Sequence, residues 1–269
     1  MKKGIFIAII VILLIVFGVS AFMVGSYYLE GAKQAQQYDQ LAQIKEDSKT
    51  PATEAAKDAT EATEPEETTE PPQIRNEDGM LLEYVDLYNM NNDMVGWIKI
   101  EGTDVDYPVM QTPDTVDYYL KRDFYEQHSE RGSIYVREVC DVMEPSDNQT
   151  IYGHTMLDGS MFADLHEYLD QEKWEENPLI IYDTLYDYHV YKIFSVFRTT
   201  ASIGQGFRYH MMVDAEDQAD FDDFIGTCKD LAEYDTGITP QYGDKIICLS
   251  TCEYSQENGR LVVAAVRIY

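Results

Sequence analysis

Basic residues are scarce in this 269-residue chain: 20 lysines and arginines stand against 49 aspartates and glutamates, a formal net charge of −29. A surface so poor in cations does not neutralise a phosphate backbone, which argues against nucleic acid as a partner. Cysteine is sparse too, at positions 140, 228, 248 and 252. Four thiols are too few for a disulfide scaffold, and no Cys-x-x-Cys pair offers a structural zinc site. Cys248 and Cys252, four apart on one strand, stand roughly 13 Å from each other and do not bridge. No internal repeat is visible.

What is present first is an uncharged apolar run from Gly4 to Val24, behind Met1, Lys2 and Lys3. It matches the ~20 residues that cross a bilayer as a helix. The lysines ahead of it predict a cytoplasmic stub over residues 1–3, a transmembrane signal-anchor over 4–26, and the rest of the chain outside. The alternative is a cleavable signal peptide with Val19-Ser-Ala21 as its cut site; the run, however, exceeds the usual signal-peptide core of ~7–15 residues. From 27 to 75 the composition turns to Gln, Ala, Lys, Glu, Thr and Pro and leaves little to bury. That composition predicts a disordered, self-repelling spacer, reaching on the order of 40 Å.

A folded domain is expected over 76–269. Leu81, Tyr84, Val85 and Tyr88 recur at helical spacing, after which the period changes to two. Residues 95–100, 105–110, 132–137, 150–154, 179–182 and 188–197 read as strands set off by Gly, Asp and Pro turns. Residues 161–169 and 220–232 return to helical period, the latter with Phe221, Phe224, Ile225, Cys228 and Leu231 on one stripe. Two β-branched strands, 244–252 and 260–269, close the chain. Many short strands with inserted helices predict a mainly β fold, a barrel or rolled sheet rather than an alternating βαβ sheet.

Chemistry gathers near the last two strands. Cys252 stands where a core strand runs out into a loop, and Asn258-Gly259 is a turn signal. An antiparallel hairpin then brings Cys252 beside Arg260, whose charge favours a thiolate. Cys228 on its apolar stripe and Cys248 in mid-strand read as inert core residues, and Cys140 has no evident basic neighbour. A cysteine nucleophile needs a histidine. His166 in a helix and His189 in a strand read as structural, and His128 and His210 lie in polar loops. His154 alone follows a strand and a glycine, where a side chain can enter a cleft. Arg260 is placed to stabilise an oxyanion, a contribution of roughly 2.7–4 kcal/mol per donor.

Tyr152-Gly-His154, Leu249-Ser-Thr-Cys252 and Asn258-Gly-Arg260-Leu-Val-Val, in this order, resemble the sortases, membrane-anchored cysteine transpeptidases of Gram-positive bacteria. Val95-Gly-Trp-Ile-Lys-Ile-Glu-Gly-Thr103, Asp106-Tyr-Pro-Val-Met-Gln111, Tyr119-Leu120, Met161-Phe162 and the helix at 220–232 make the likeness one to class B, over roughly residues 77–269. The resemblance implies a closed sortase-type β-barrel with an N-terminal helix and an extra helix before the last two strands. It also implies that Cys252 is the nucleophile, His154 the general acid and base, and Arg260 the oxyanion and substrate-orienting group. The backbone N–H of Glu253 would complete the oxyanion hole, while Ser250 and Thr251 would line the substrate groove. The implied reaction cleaves a C-terminal Pro-x-Thr-type sorting motif of a secreted protein through a thioester, then transfers the acyl group to an amine of a cell-wall precursor, with no cofactor or metal. Asp114-Thr115 departs from the Asp-Asn that many class B members carry there, so a substrate contact by that asparagine is not carried over. The alternatives are a pilin-polymerising sortase, a hydrolytic cysteine peptidase, and a tethered sortase-like binding module. Papain-like enzymes order cysteine before histidine, opposite to this chain.

Overall fold

The computed structural model describes residues 2–60 and 74–269. They fall into two compact units, Met1–Asp39 and Gln40–Tyr269. Helix α1, Lys2–Thr60, supplies the first unit and the start of the second. Its apolar side chains in the first unit, among them Leu14, Phe17 and Phe22, are exposed. Among the described residues this is the one helix long and apolar enough to cross a membrane, a test that a signal sequence near an N-terminus also passes.

The first part of the spacer expected over 27–75 is helical, since α1 continues to Thr60. Alanine, glutamine, lysine and glutamate are good helix formers, and their propensity carries the backbone on where a core is lacking. The Glu/Thr/Pro stretch of that spacer, at 61–73, lies outside the described residues. Within the second unit the helix also packs. Leu41 is fully buried, Lys45 Nζ sits 4.7 Å from the Trp97 ring centroid and 5.2 Å from that of Tyr84, and Lys49 pairs with buried Glu83 at 3.2 Å. The compact unit therefore starts ahead of the boundary expected at residue 76.

Eight strands make a closed barrel: β1 Met94–Lys99, β2 Asp106–Met110, β3 Ile134–Val136, β4 Asn148–Tyr152, β5 Leu179–Thr184, β6 Val190–Thr200, β7 Ile246–Cys252 and β8 Gly259–Arg267. Around the barrel they run β1-β2-β3-β4-β7-β8-β6-β5, and β5 pairs back to β1. Two pairs are parallel, β2 with β3 and β4 with β7; the rest are antiparallel. Closure leaves no free sheet edge to recruit another chain.

Helix α2, Leu82–Met90, precedes the barrel, α3, Gln171–Glu176, follows the short 3₁₀ helix Ala163–Leu169, and α4, Gln218–Asp230, precedes the last two strands. The expectation of a helix over 161–169 is thus met by 3₁₀ rather than α geometry. Asp217 caps α4 by accepting from the N–H groups of Ala219 and Asp220. Phe221, Phe224, Ile225 and Cys228 of α4 pack with Phe194, Phe197, Cys248, Val262 and Ala264 of the barrel. Each large side chain so buried contributes about 1.5–3 kcal/mol, which locks α4 across β6, β7 and β8.

Candidate active site

Strand pairing assembles the site. In the parallel β4–β7 pair, Thr150 stands beside Cys248 and Tyr152 beside Ser250; the Gly153 N–H donates to the Ser250 carbonyl at 3.1 Å. Two residues further on in each strand come His154 and Cys252, which therefore leave the barrel side by side. On the other flank, antiparallel β7–β8 register sets Cys252 opposite Arg260. Adjacent strands thus deliver a histidine, a cysteine and an arginine to one barrel end. Gly153 is required between Tyr152 and His154, because a Cβ there would lie 2.5 Å from Ile134 Cδ1 and 2.6 Å from Phe162 Cδ2.

All three side chains line a cleft of about 380 Å³, together with Ser250, Thr251 and Tyr152. Ser250 Oγ is 2.5 Å from the Tyr209 hydroxyl, and Thr251 Oγ1 is 2.8 Å from Thr155 Oγ1. Among the described residues no group of three or more His, Cys, Asp or Glu side chains has the arrangement of a metal site.

The protonation state of the pair follows from its neighbours. His154 Nε2 lies 2.9 Å from the Leu120 carbonyl oxygen. A carbonyl only accepts, so Nε2 carries a hydrogen and Nδ1 is left for Cys252. The hydrogen bond with Cys252 pushes the imidazole above its ordinary value despite burial. Reciprocally, the bond from His154, helped by the Arg260 charge, holds the Cys252 thiol below its ordinary value against the opposing effect of burial. Burial drives the other three thiols up. Cys252 is half-buried and the others are buried, so nucleophilic character concentrates on Cys252.

Arg260 stands opposite Cys252 as expected, while Glu253 is engaged elsewhere. Arg260 reaches the cleft, but its Nη1 is engaged by the Gly259 carbonyl at 2.9 Å, leaving its other N–H groups for a ligand. Glu253 does not line the cleft. Its N–H donates to the Gly259 carbonyl at 3.0 Å, extending the β7–β8 ladder, and its carboxylate accepts from Ser255 Oγ at 2.6 Å. In this conformation that N–H is spent on the hairpin and is not an oxyanion donor.

Three participants escaped sequence reading. The Leu120 carbonyl is a main-chain group with no sequence signature. Thr155 Oγ1 and His166 Nε2 stand 3.2 Å and 3.1 Å from the Cys252 carbonyl oxygen. The helical position of His166 pointed to a structural role, and only the fold brings it to the cysteine.

Residues 98–268 match the Sortase domain family. Sortase B of Listeria monocytogenes serovar 1/2a is 38% identical over 185 residues, 67% of this chain and 72% of that protein. Sortase B of Staphylococcus aureus is 31% identical over 193 residues, 71% of this chain and 77% of its own length. Among solved structures, a Staphylococcus aureus sortase B–substrate complex superposes with a TM-score of 0.71 at 27% identity, covering 89% of this chain and 98% of that one. A Bacillus anthracis protein similar to sortase B gives 0.70 at 28% identity, with 88% and 96% covered. The closed barrel, the order of its motifs and these likenesses agree: the chain belongs to the sortase family of cysteine transpeptidases, on its class B branch.

Proposed function

We propose that this chain cleaves a Pro-x-Thr-type C-terminal sorting signal of secreted proteins and joins the threonine acyl group to a peptide amine of a cell-wall precursor. The observation that carries this reading is the convergence of Cys252, His154 and Arg260 from adjacent strands on one cleft, with each of Cys252 and His154 favouring the charged form of the other. The Cys252 thiolate attacks the threonine carbonyl carbon, and the electron pair moves to the carbonyl oxygen. Arg260 stabilises that oxyanion. His154, protonated at Nδ1, donates to the leaving amide nitrogen as the C–N bond breaks and a thioester remains. The acceptor amine then attacks the thioester carbon, neutral Nδ1 takes its proton, and C–S cleavage restores the thiolate.

Ser250 and Thr251 line the same cleft and serve as substrate contacts. Glu253 takes an oxyanion role only if its N–H leaves the Gly259 carbonyl. The apolar start of α1, behind Lys2 and Lys3, anchors the chain with its N-terminus inside and the barrel outside, the side on which secreted substrates and lipid-linked wall precursors meet. A Staphylococcus aureus sortase B has been solved as a substrate complex, which supports a substrate-binding role for this chain.

The test uses the full chain in detergent micelles and a panel of peptides with a proline-x-threonine core followed by glycine or asparagine. Cleavage after threonine, with a ligated product that grows with added oligoglycine or stem-peptide amine and vanishes in Cys252→Ala, is expected. Hydrolysis that no amine diverts would identify a peptidase, and amine transfer confined to lysines of a pilin-like acceptor would identify a polymerising enzyme. Full function in Cys252→Ala would identify a binding module.

A further inference from the structure

The cysteine is held from two sides by a single stretch of chain. Its thiol faces His154, while its main-chain carbonyl faces the other way, towards Thr155 and His166. The same two groups also approach each other, with Thr155 Oγ1 lying 3.2 Å from His166 Nε2. The carbonyl only accepts, so both Thr155 Oγ1–H at 3.2 Å and His166 Nε2–H at 3.1 Å donate to it. With the single Thr155 hydrogen turned to the carbonyl, Thr251 donates to Thr155 Oγ1 across their 2.8 Å contact.

The stretch that carries these groups, residues 154–166, is itself braced. The Phe162 N–H donates to the His154 carbonyl at 2.8 Å, and Thr155 bridges Met161. Buried Arg131 grips the intervening turn through Asp158 at 2.7 Å and Ser160 at 2.8 Å. Leu165 and Tyr168 bury the helix on which His166 stands. One rigid element therefore carries the candidate base at its start and a carbonyl donor at its end, with the cysteine between them.

We propose that Thr155 and His166 are positioning residues that clamp the Cys252 carbonyl and so hold Sγ in register with His154. A β-strand end with one fewer strand neighbour is free to twist, and a small rotation of this peptide moves Sγ away from the imidazole. The clamp removes that freedom. The inference rests on the reading of Cys252 and His154 as a reactive pair, and it adds two residues that touch neither substrate nor sulfur.

Cys252 carbamidomethylation by iodoacetamide reads the pairing without requiring any peptide. It is followed by mass mapping of the Cys252 peptide in the full chain in detergent micelles, from pH 5 to 10. The groups acting on the thiol are His154 and Arg260; Asp117, Tyr135, Tyr152, Arg208, Tyr209 and His210 line the same cleft, and His166 stands on its carbonyl. In His166→Leu the alkylation rate at pH 6 should fall about 3–10-fold, the effect of losing one hydrogen bond, and its pH profile should move up. His166→Gln, which keeps an N–H donor, should recover most of the rate. Thr155→Val should act like His166→Leu, and Thr155→Ser like the parent. A parent profile shifted below that of a free thiol but unchanged in His166→Leu and Thr155→Val overturns the clamp alone. The same is true if the four variants follow only their melting temperatures. A parent profile like that of a free thiol overturns the reactive pair and the clamp with it.

Discussion

Replacing Gly132 by alanine tests how the barrel prepares His154. Gly132 sits at φ +59°, and a Cβ there would lie 2.4 Å from the Leu120 carbonyl oxygen and 2.7 Å from that of Tyr119. The first of these oxygens is the acceptor for His154 Nε2. Left-handed backbone costs alanine about 1–2 kcal/mol, and displacing packed neighbours costs roughly 1–3 kcal/mol. A combined loss of about 2–5 kcal/mol lowers Tm by about 4–20 °C in a domain of this size. The displaced carbonyl also loosens its bond to the imidazole. One weakened hydrogen bond of about 1 kcal/mol corresponds to roughly fivefold in rate. Because the Leu120 bond raises the imidazole, its loss lets His154 deprotonate at lower pH, and the alkaline limb of peptide cleavage moves down. The assay is initial cleavage rate against pH, well below Tm, beside thermal unfolding. A variant that is destabilised yet keeps the parent pH profile would refute the link between Gly132, the Leu120 carbonyl and His154.

His154→Ala removes the largest influence lowering the Cys252 thiol, so iodoacetamide alkylation of Cys252 at pH 6 should collapse and recover only at alkaline pH; an unmoved profile would contradict the pairing. Arg260→Ala should reduce kcat by about 10²–10³ while slowing alkylation far less, because alkylation forms no oxyanion; equal losses in both assays would assign Arg260 to the thiolate instead. Leu41→Ala should destabilise the second unit by about 2–5 kcal/mol, read as a lower denaturant midpoint of the barrel; no change would detach that part of α1 from the fold. Burial raises the Asp183 carboxyl to about 6, above the ~3.9 of an unfolded aspartate. The folded chain then holds this proton more tightly. The associated stability is complete below about pH 4 and is lost as pH rises through 6. Asp183→Asn should flatten the denaturant midpoint across that window, and an unchanged slope would place the titration elsewhere.

Legibility in sequence tracked the range of the interactions. Cys252 and Arg260 lie eight residues apart across an Asn258-Gly259 turn, so hairpin geometry alone paired them, and the register agrees. His154 reaches Cys252 through a parallel pairing between strands about a hundred residues apart. No local pattern encodes that pairing; the order of the motifs, as a family likeness, supplied it. The apolar stripe of α4 was readable because its period is its packing face. Ala, Gln, Lys and Glu in residues 27–60 favour helix, while the low hydrophobicity of the same stretch favours disorder, and composition alone does not say which prevails. The Glu253 N–H illustrates a further limit, since a main-chain donor is claimed by whichever acceptor the loop brings, here Gly259. Thr155 and His166 were hidden because what they hold is a carbonyl rather than a side chain.

The most direct test of the central claim is intact-mass spectrometry of the full chain, quenched with acid during turnover of the proline-x-threonine peptides. The account predicts an acyl adduct that maps to Cys252 alone among the four cysteines, that an added amine discharges into a ligated peptide, and that His154→Ala fails to form. Turnover of the same peptides by Cys252→Ala, or an adduct on Cys140, Cys228 or Cys248 in place of Cys252, would contradict it.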